Sequence, residues 1–143
     1  MKGLRRVTDR FEAGQPLCGF EREMTATRIK DYADASGDHN PAHLDPEYAR
    51  TTQFGGVIAH GMLSMAWVSE LMAVNFPLTW HSGGKMKLRF RAPVFPGETV
   101  TVFGKIDSIR KTEQGEVATC NVGCRKPDGV EALTGTATVP LPG

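Results

Sequence analysis

The chain has 143 residues, 40% of them apolar and 23% charged, a composition that fits one folded domain over 1–143 and excludes a disordered tail or a fibrous repeat. Seventeen Lys and Arg against 16 Asp and Glu leave a formal charge of +1. That balance gives no global field to gather a polyanion, which argues against nucleic acid as a partner.

At the N-terminus Lys2, Arg5 and Arg6 are not followed by the apolar stretch that a secretory signal requires. No run approaches about 18 consecutive apolar residues, so no membrane span is expected. Cys18, Cys120 and Cys124 are odd in number. Cys120 and Cys124, placed on one strand, would lie roughly 13 Å apart, too far to bridge. Free thiols and a cytoplasmic location are expected.

In chain order, loose alternation over 17–26 predicts an opening strand. Ile29, Tyr32, Ala33 and Ser36 then fall at helical spacing after the capping candidates Thr25 and Thr27, and Gly37 sits where a helix ends. Asp45 and Pro46 restart a helical turn as N-cap and first helical residue, continuing through Glu47, Tyr48 and Ala49. Between these pieces, 37–43 reads as a polar loop kinked by Pro41. From Ala59 to Val74 the chain is apolar on nearly every side, which predicts a helix enclosed by other elements.

Four strand-like runs follow, divided by turn signals at Phe95-Pro96-Gly97, Glu113-Gln114-Gly115 and Pro127-Asp128-Gly129, and an antiparallel meander is expected of them. The first run puts Lys85, Lys87, Arg89 and Arg91 on one face and Met86, Leu88, Phe90 and Ala92 on the other, the apolar face being expected on the buried helix. The layout is α+β, one curved antiparallel sheet around one long helix.

Asp38 and His43 stand five positions apart across a bend at Asn40-Pro41, a spacing that lets a carboxylate and an imidazole converge. Such a pair suits acid–base work, since an imidazole titrates near neutrality and burial brings a carboxyl toward it. By composition alone, an Asx-rich turn that only caps backbone amides fits the same residues.

The run from Asp34 to Ala49, Asp-Ala-Ser-Gly-Asp-His-Asn-Pro-Ala-His-Leu-Asp-Pro-Glu-Tyr-Ala, resembles the hydratase motif of the MaoC-like family, the (R)-specific enoyl-CoA hydratases and related dehydratases. Gly55 to Leu63 resembles that family's next segment, and Arg89 to Glu98 the strand and turn beyond it. The resemblance implies a hot-dog fold, a five-stranded antiparallel sheet wrapped around a long central helix. It implies Asp38 and His43 as the catalytic pair, Asn40 as a support of the loop and its water, and Gly61 as the backbone N–H that polarises a thioester carbonyl. Ser69 matches a position that can hydrogen-bond the catalytic carboxylate. The activity implied is hydration of trans-2-enoyl thioesters to (3R)-3-hydroxyacyl thioesters, or the reverse dehydration. No resident cofactor is implied, coenzyme A or phosphopantetheine being part of the substrate.

Other residues carry plainer readings. His39 and His43 have the spacing of a helical metal pair, but Pro41 intervenes and no third ligand is evident, so no metal is expected. His60 matches the His of the family's His-Gly-Met segment and is expected to pack rather than to catalyse, and His81 is expected at the surface. Lys85, Lys87, Arg89 and Arg91 are candidates for contacts to the carrier's phosphates, against a solvated strand face. Met62, Met65, Met72 and Trp67 read as core, and Trp80 as core or as a border of the acyl pocket or a subunit contact. A chain that spends its one long helix on its own core leaves little interior for a ligand, so a pocket between the subunits of a homodimer is expected. The competing functions are a hot-dog acyl-CoA thioesterase, which would release free thiol, and a non-catalytic subunit that binds acyl thioesters.

Overall fold

The structure, a computed structural model, describes residues 10–143, so Lys2, Arg5 and Arg6 lie outside the described residues. The elements run β1 (Phe20–Glu23), α1 (Ala26–Ser36), α2 (Pro41–Leu44), α3 (Pro46–Arg50), α4 (Gly61–Asn75), α5 (Trp80–Gly83), β2 (Lys85–Phe90), β3 (Thr99–Thr112), β4 (Gly115–Arg125) and β5 (Glu131–Pro140). Among the described residues no helix is long and apolar enough to cross a membrane.

Local signals set the helix ends. The Thr25 hydroxyl accepts from the Arg28 amide at the start of α1, and Gly37, at φ 80°, ends it in the left-handed region where a side chain would be strained. Asp45 caps α3 through the amides of Glu47 and Tyr48, with Pro46 in the first turn. Two expectations are corrected. The loop after Gly37 contains a helical turn, α2, because Pro41 at its first position needs no amide partner and the Asn40 side chain accepts from Ala42. The connection around His81 is likewise a short helix, α5, on which His81 is exposed as expected.

The sheet is five-stranded and antiparallel, in the order β1-β3-β4-β5-β2. Only β3, β4 and β5 form a meander. β2 crosses to the far side and pairs with β5, Lys85 opposite Thr138 and Phe90 opposite Leu133, instead of joining β3. The expected four-strand meander is corrected accordingly. β3 shifts register between Ile106 and Ser108, an irregularity of the kind that bends a long strand.

The bend lets one face close over α4. Val68, Leu71 and Met72 meet Val100, Val102 and Ile106 of β3, Cys120 and Val122 of β4, and Ala137 and Val139 of β5 in one buried cluster. Trp67 and Trp80 are both in that cluster. Of the methionines on α4, Met72 is fully buried and Met65 packs against the core, whereas Met62 is exposed. Asn75, the polar residue at the end of α4, is satisfied inside: its side chain accepts from the Cys18 amide at 2.9 Å and donates to the Cys18 and Leu71 carbonyls. The three cysteines are free, Cys120 and Cys124 buried and Cys18 half-buried.

Candidate active site

The segment from Asp38 to Leu44 lies over the N-terminus of α4. Its backbone is shaped by its own side chains: Ser36 accepts from the Asp38 amide, Asp38 Oδ1 from the Asn40 amide at 3.2 Å, and Asn40 Oδ1 from the Ala42 amide at 2.9 Å. These bonds are the Asx-turn geometry that the composition allows. Asn40 is thereby the N-cap of α2.

His43, on α2, lies 2.7 Å through Nδ1 from the backbone oxygen of Ile58. A carbonyl can only accept, so Nδ1 carries the proton and Nε2 of the neutral ring keeps a lone pair. His60, the N-cap of α4, lies beneath it, the ring centroids 3.9 Å apart and the planes 29° from parallel. A carboxylate oxygen of Asp38 and a ring nitrogen from each of His43 and His60 lie within 4.8 Å of one another. Asp38 and His43 are thus brought together, and His60 joins them. Near-parallel imidazoles aim their lone pairs side by side instead of at a common point, which makes the trio a poor metal cage. His39 points elsewhere, its Nε2 3.1 Å from Asp34 Oδ1 on α1. That proximity, with Lys30 beyond it, holds the exposed Asp34 carboxyl below the ordinary value.

A cavity of about 390 Å³ opens beside His43, lined by Ile58, Gly61, Met62, Ser64, Phe90 and Val94 among others. Its walls are mostly apolar. Its floor is the start of α4, where Gly61 stands at the first helical position and His60 supplies no side-chain cap. The first amides of a helix have no intrahelical partner and carry the positive end of its dipole, so this floor offers donors to an oxygen that gains negative charge. A Cβ built on Gly61 would lie 2.7 Å from Cε1 of Phe90, so glycine at this position lets the aromatic ring pack directly on the helix end.

The remaining candidates separate. The Ser69 hydroxyl accepts from the Trp80 indole at 3.0 Å, and Ser69 stands about 12 Å up the helix from Gly61 at the usual rise. Ser64, one turn from the helix start and buried, is the serine that lines the cavity. Lys85, Lys87 and Arg89 are exposed on β2 and not among the lining residues, but Arg91 is. Strict alternation fails there because the amides of Arg91 and Ala92 both reach the Ala132 carbonyl, at 2.8 and 3.3 Å. Arg91 Nε donates to Thr134 Oγ1 at 2.8 Å. Met86 and Leu88 pack on the core as expected of the apolar face of β2, while Phe90 is 55% exposed.

One feature escaped sequence reasoning altogether. The ammonium of Lys126 donates to the Pro93 carbonyl at 2.8 Å and lies 3.3 Å from Glu98, fastening the 93–98 segment that walls the cavity.

A curled antiparallel sheet around one apolar helix is a hot-dog fold, here with an Asp–His pair over the helix N-terminus. The sequence matches the MaoC like domain over residues 10–124, and the chain belongs to that family. It is 34% identical to an (R)-specific enoyl-CoA hydratase of Aeromonas caviae over 92% of this chain and 96% of that protein. It is 30% identical to a mitochondrial 3-hydroxyacyl-[acyl-carrier-protein] dehydratase of Arabidopsis thaliana over 85% of this chain and 72% of that one. Among solved structures, the (R)-hydratase from A. caviae involved in PHA biosynthesis superposes with a TM-score of 0.81 at 33% identity, covering 92% of this chain and 98% of that one.

Proposed function

We propose that the protein is a hydro-lyase that adds water to trans-2-enoyl thioesters to give (3R)-3-hydroxyacyl thioesters, and that it also runs the reverse dehydration. The observation that carries this reading is the His43 Nδ1 bond to the Ile58 carbonyl, which leaves the Nε2 lone pair as the base of a ring that lies near Asp38 and lines an apolar cavity.

The thioester oxygen docks on the Gly61 amide, where charge developing on it is stabilised and C3 of the conjugated alkene becomes electrophilic. A water between Asp38 and His43 gives a proton to His43 Nε2 as its oxygen bonds to C3. The electron pair of the alkene shifts toward the carbonyl, and C2 then takes a proton from the Asp38 carboxyl on the same face. Transfer of one proton from the imidazolium back to Asp38 restores the starting state. Dehydration is the same sequence reversed.

A homodimer completes this reading. Phe54, Met62 and Phe90 border the cavity and are exposed in the single chain, as are Leu44 and Tyr48 on α2 and α3. A second copy would cover them and exclude water from the reacting carbons. Coenzyme A or phosphopantetheine arrives as part of the substrate, and Arg91 is the basic side chain best placed to meet a phosphate. The three free cysteines fit a reducing compartment, the cytoplasm.

The test is to offer trans-2-enoyl-CoA of several chain lengths and follow loss of the conjugated absorbance together with free thiol. Hydration without thiol release is expected. Thiol release would make the protein a thioesterase, and silence across the series would make it a binding subunit.

A further inference from the structure

His60 is 2% exposed, yet it sits at the centre of the site rather than in the apolar core. Its Nε2 lies 3.0 Å from the backbone oxygen of Asp38, a contact in which the ring must be the donor. One face stacks on His43 at 3.9 Å and another side meets Tyr32 of α1 at 4.9 Å. The other nitrogen, Nδ1, is buried with no hydrogen-bond partner. One ring therefore ties α1, the Asp38 loop and α2 to the start of α4.

We propose that His60 is the positioning residue of the acid–base pair: its Nε2–H pins the Asp38 backbone and its ring fixes the plane of His43. This inference rests on the hydratase reading and deepens it. The two histidines hold opposite tautomers, His60 with its proton on Nε2 and His43 with its proton on Nδ1, each fixed by a backbone carbonyl. The assignment suits the chemistry. A neutral ring stacked on the base does not oppose the uptake of a proton by His43, whereas a second imidazolium at that distance would. The orphaned Nδ1 agrees with it, because a proton there would be a buried donor with no acceptor.

Two variants divide the roles. His60→Phe keeps a flat ring and removes the donor to Asp38, and His60→Gln keeps an amide donor and removes the ring. With trans-2-enoyl-CoA, His60→Phe should lower kcat by about 30-fold or more while KM stays within about threefold, the signature of a misplaced reacting group. His60→Gln should recover part of that loss. Wild-type kcat in His60→Phe would overturn the proposal, and so would a loss that appears only in KM. Should either variant fail to fold, nitrogen-15 imidazole spectra of the wild-type protein at pH 7 decide the matter. Nε2-protonated His60 beside Nδ1-protonated His43 is expected, and Nδ1-protonated His60 overturns the proposal. Those spectra need no turnover, so a wild-type protein inert toward every enoyl thioester would sink the hydratase reading while leaving this inference to be judged on its own.

Discussion

His43 Nδ1 and the carbonyl oxygen of Ile58 are 2.7 Å apart, and that one contact decides which face of the imidazole is basic. It leaves the lone pair on Nε2 of a ring that lies beside Asp38. Asp38→Asn preserves Oδ1, which accepts from the Asn40 amide, so the turn is expected to survive while the acid is lost. His43→Gln removes the base. Each should lower kcat by about two orders of magnitude or more, with thermal unfolding by circular dichroism nearly unchanged.

Gly61 should be sensitive to an added side chain, even though the function proposed for it is a backbone one. A methyl group there meets the Phe90 ring at 2.7 Å, so the ring must move across the cavity floor. Gly61→Ala is expected to lower kcat/KM by about tenfold, on the scale by which small displacements harm a reacting geometry. Adding Phe90→Leu should recover part of that loss, because the clash is with a partly exposed side chain and not with backbone. Steady-state kinetics of the two single variants and the double variant check this coupling.

Arg22 grips Glu70 with two 2.8 Å bonds, strapping β1 to α4, and the guanidinium also lies over the Phe20 and Trp67 rings. The Arg22 hydrogen bond holds the Glu70 carboxyl below the ordinary value. Because the folded value is the lower one, the stabilisation is present above the unfolded carboxylate's pKa and is lost as pH falls through the folded one. The side chains are 28% and 43% exposed, so screening limits the contribution. Glu70→Gln should cost about 1 kcal/mol or less at pH 7, and the difference from wild type should shrink below about pH 4. Urea unfolding at both pH values measures it.

The thiols should divide by burial. Desolvation pushes Cys120 and Cys124 up to about 12, so neither presents a thiolate at neutral pH. Cys18 is half-buried. A disulfide reagent should titrate one thiol per native chain, and three after denaturation.

The parts of the fold that depend on neighbours in sequence were legible in advance. Thr25, Gly37, Asp45 and Pro46 mark helix ends because capping is decided within a few residues. What escaped depends on residues distant in sequence. Alternation in β2 identifies a strand but does not specify a partner, so its pairing with β5 required the folded sheet. Arg91, exposed like the rest of its stripe, also lines the cavity because a local doubling of bonds at Ala132 breaks the period of two. Ser69 was assigned by its matching position alone, and its bond to the Trp80 indole, 11 residues on, was not legible in the sequence. His60 is the clearest case. A histidine before an apolar helix reads as packing, and its packing partner is the imidazole proposed as the base, 17 residues earlier in the chain.

The most direct test is the stereochemistry of hydration in deuterium oxide. Asp38 and His43 working from one side should place the hydroxyl at C3 and a single deuteron at C2 on the same face of a trans-2-enoyl-CoA, yielding the (3R) product. Addition to opposite faces would contradict an acid and a base gathered at the start of α4, and a (3S) product would contradict the (R)-specific reading.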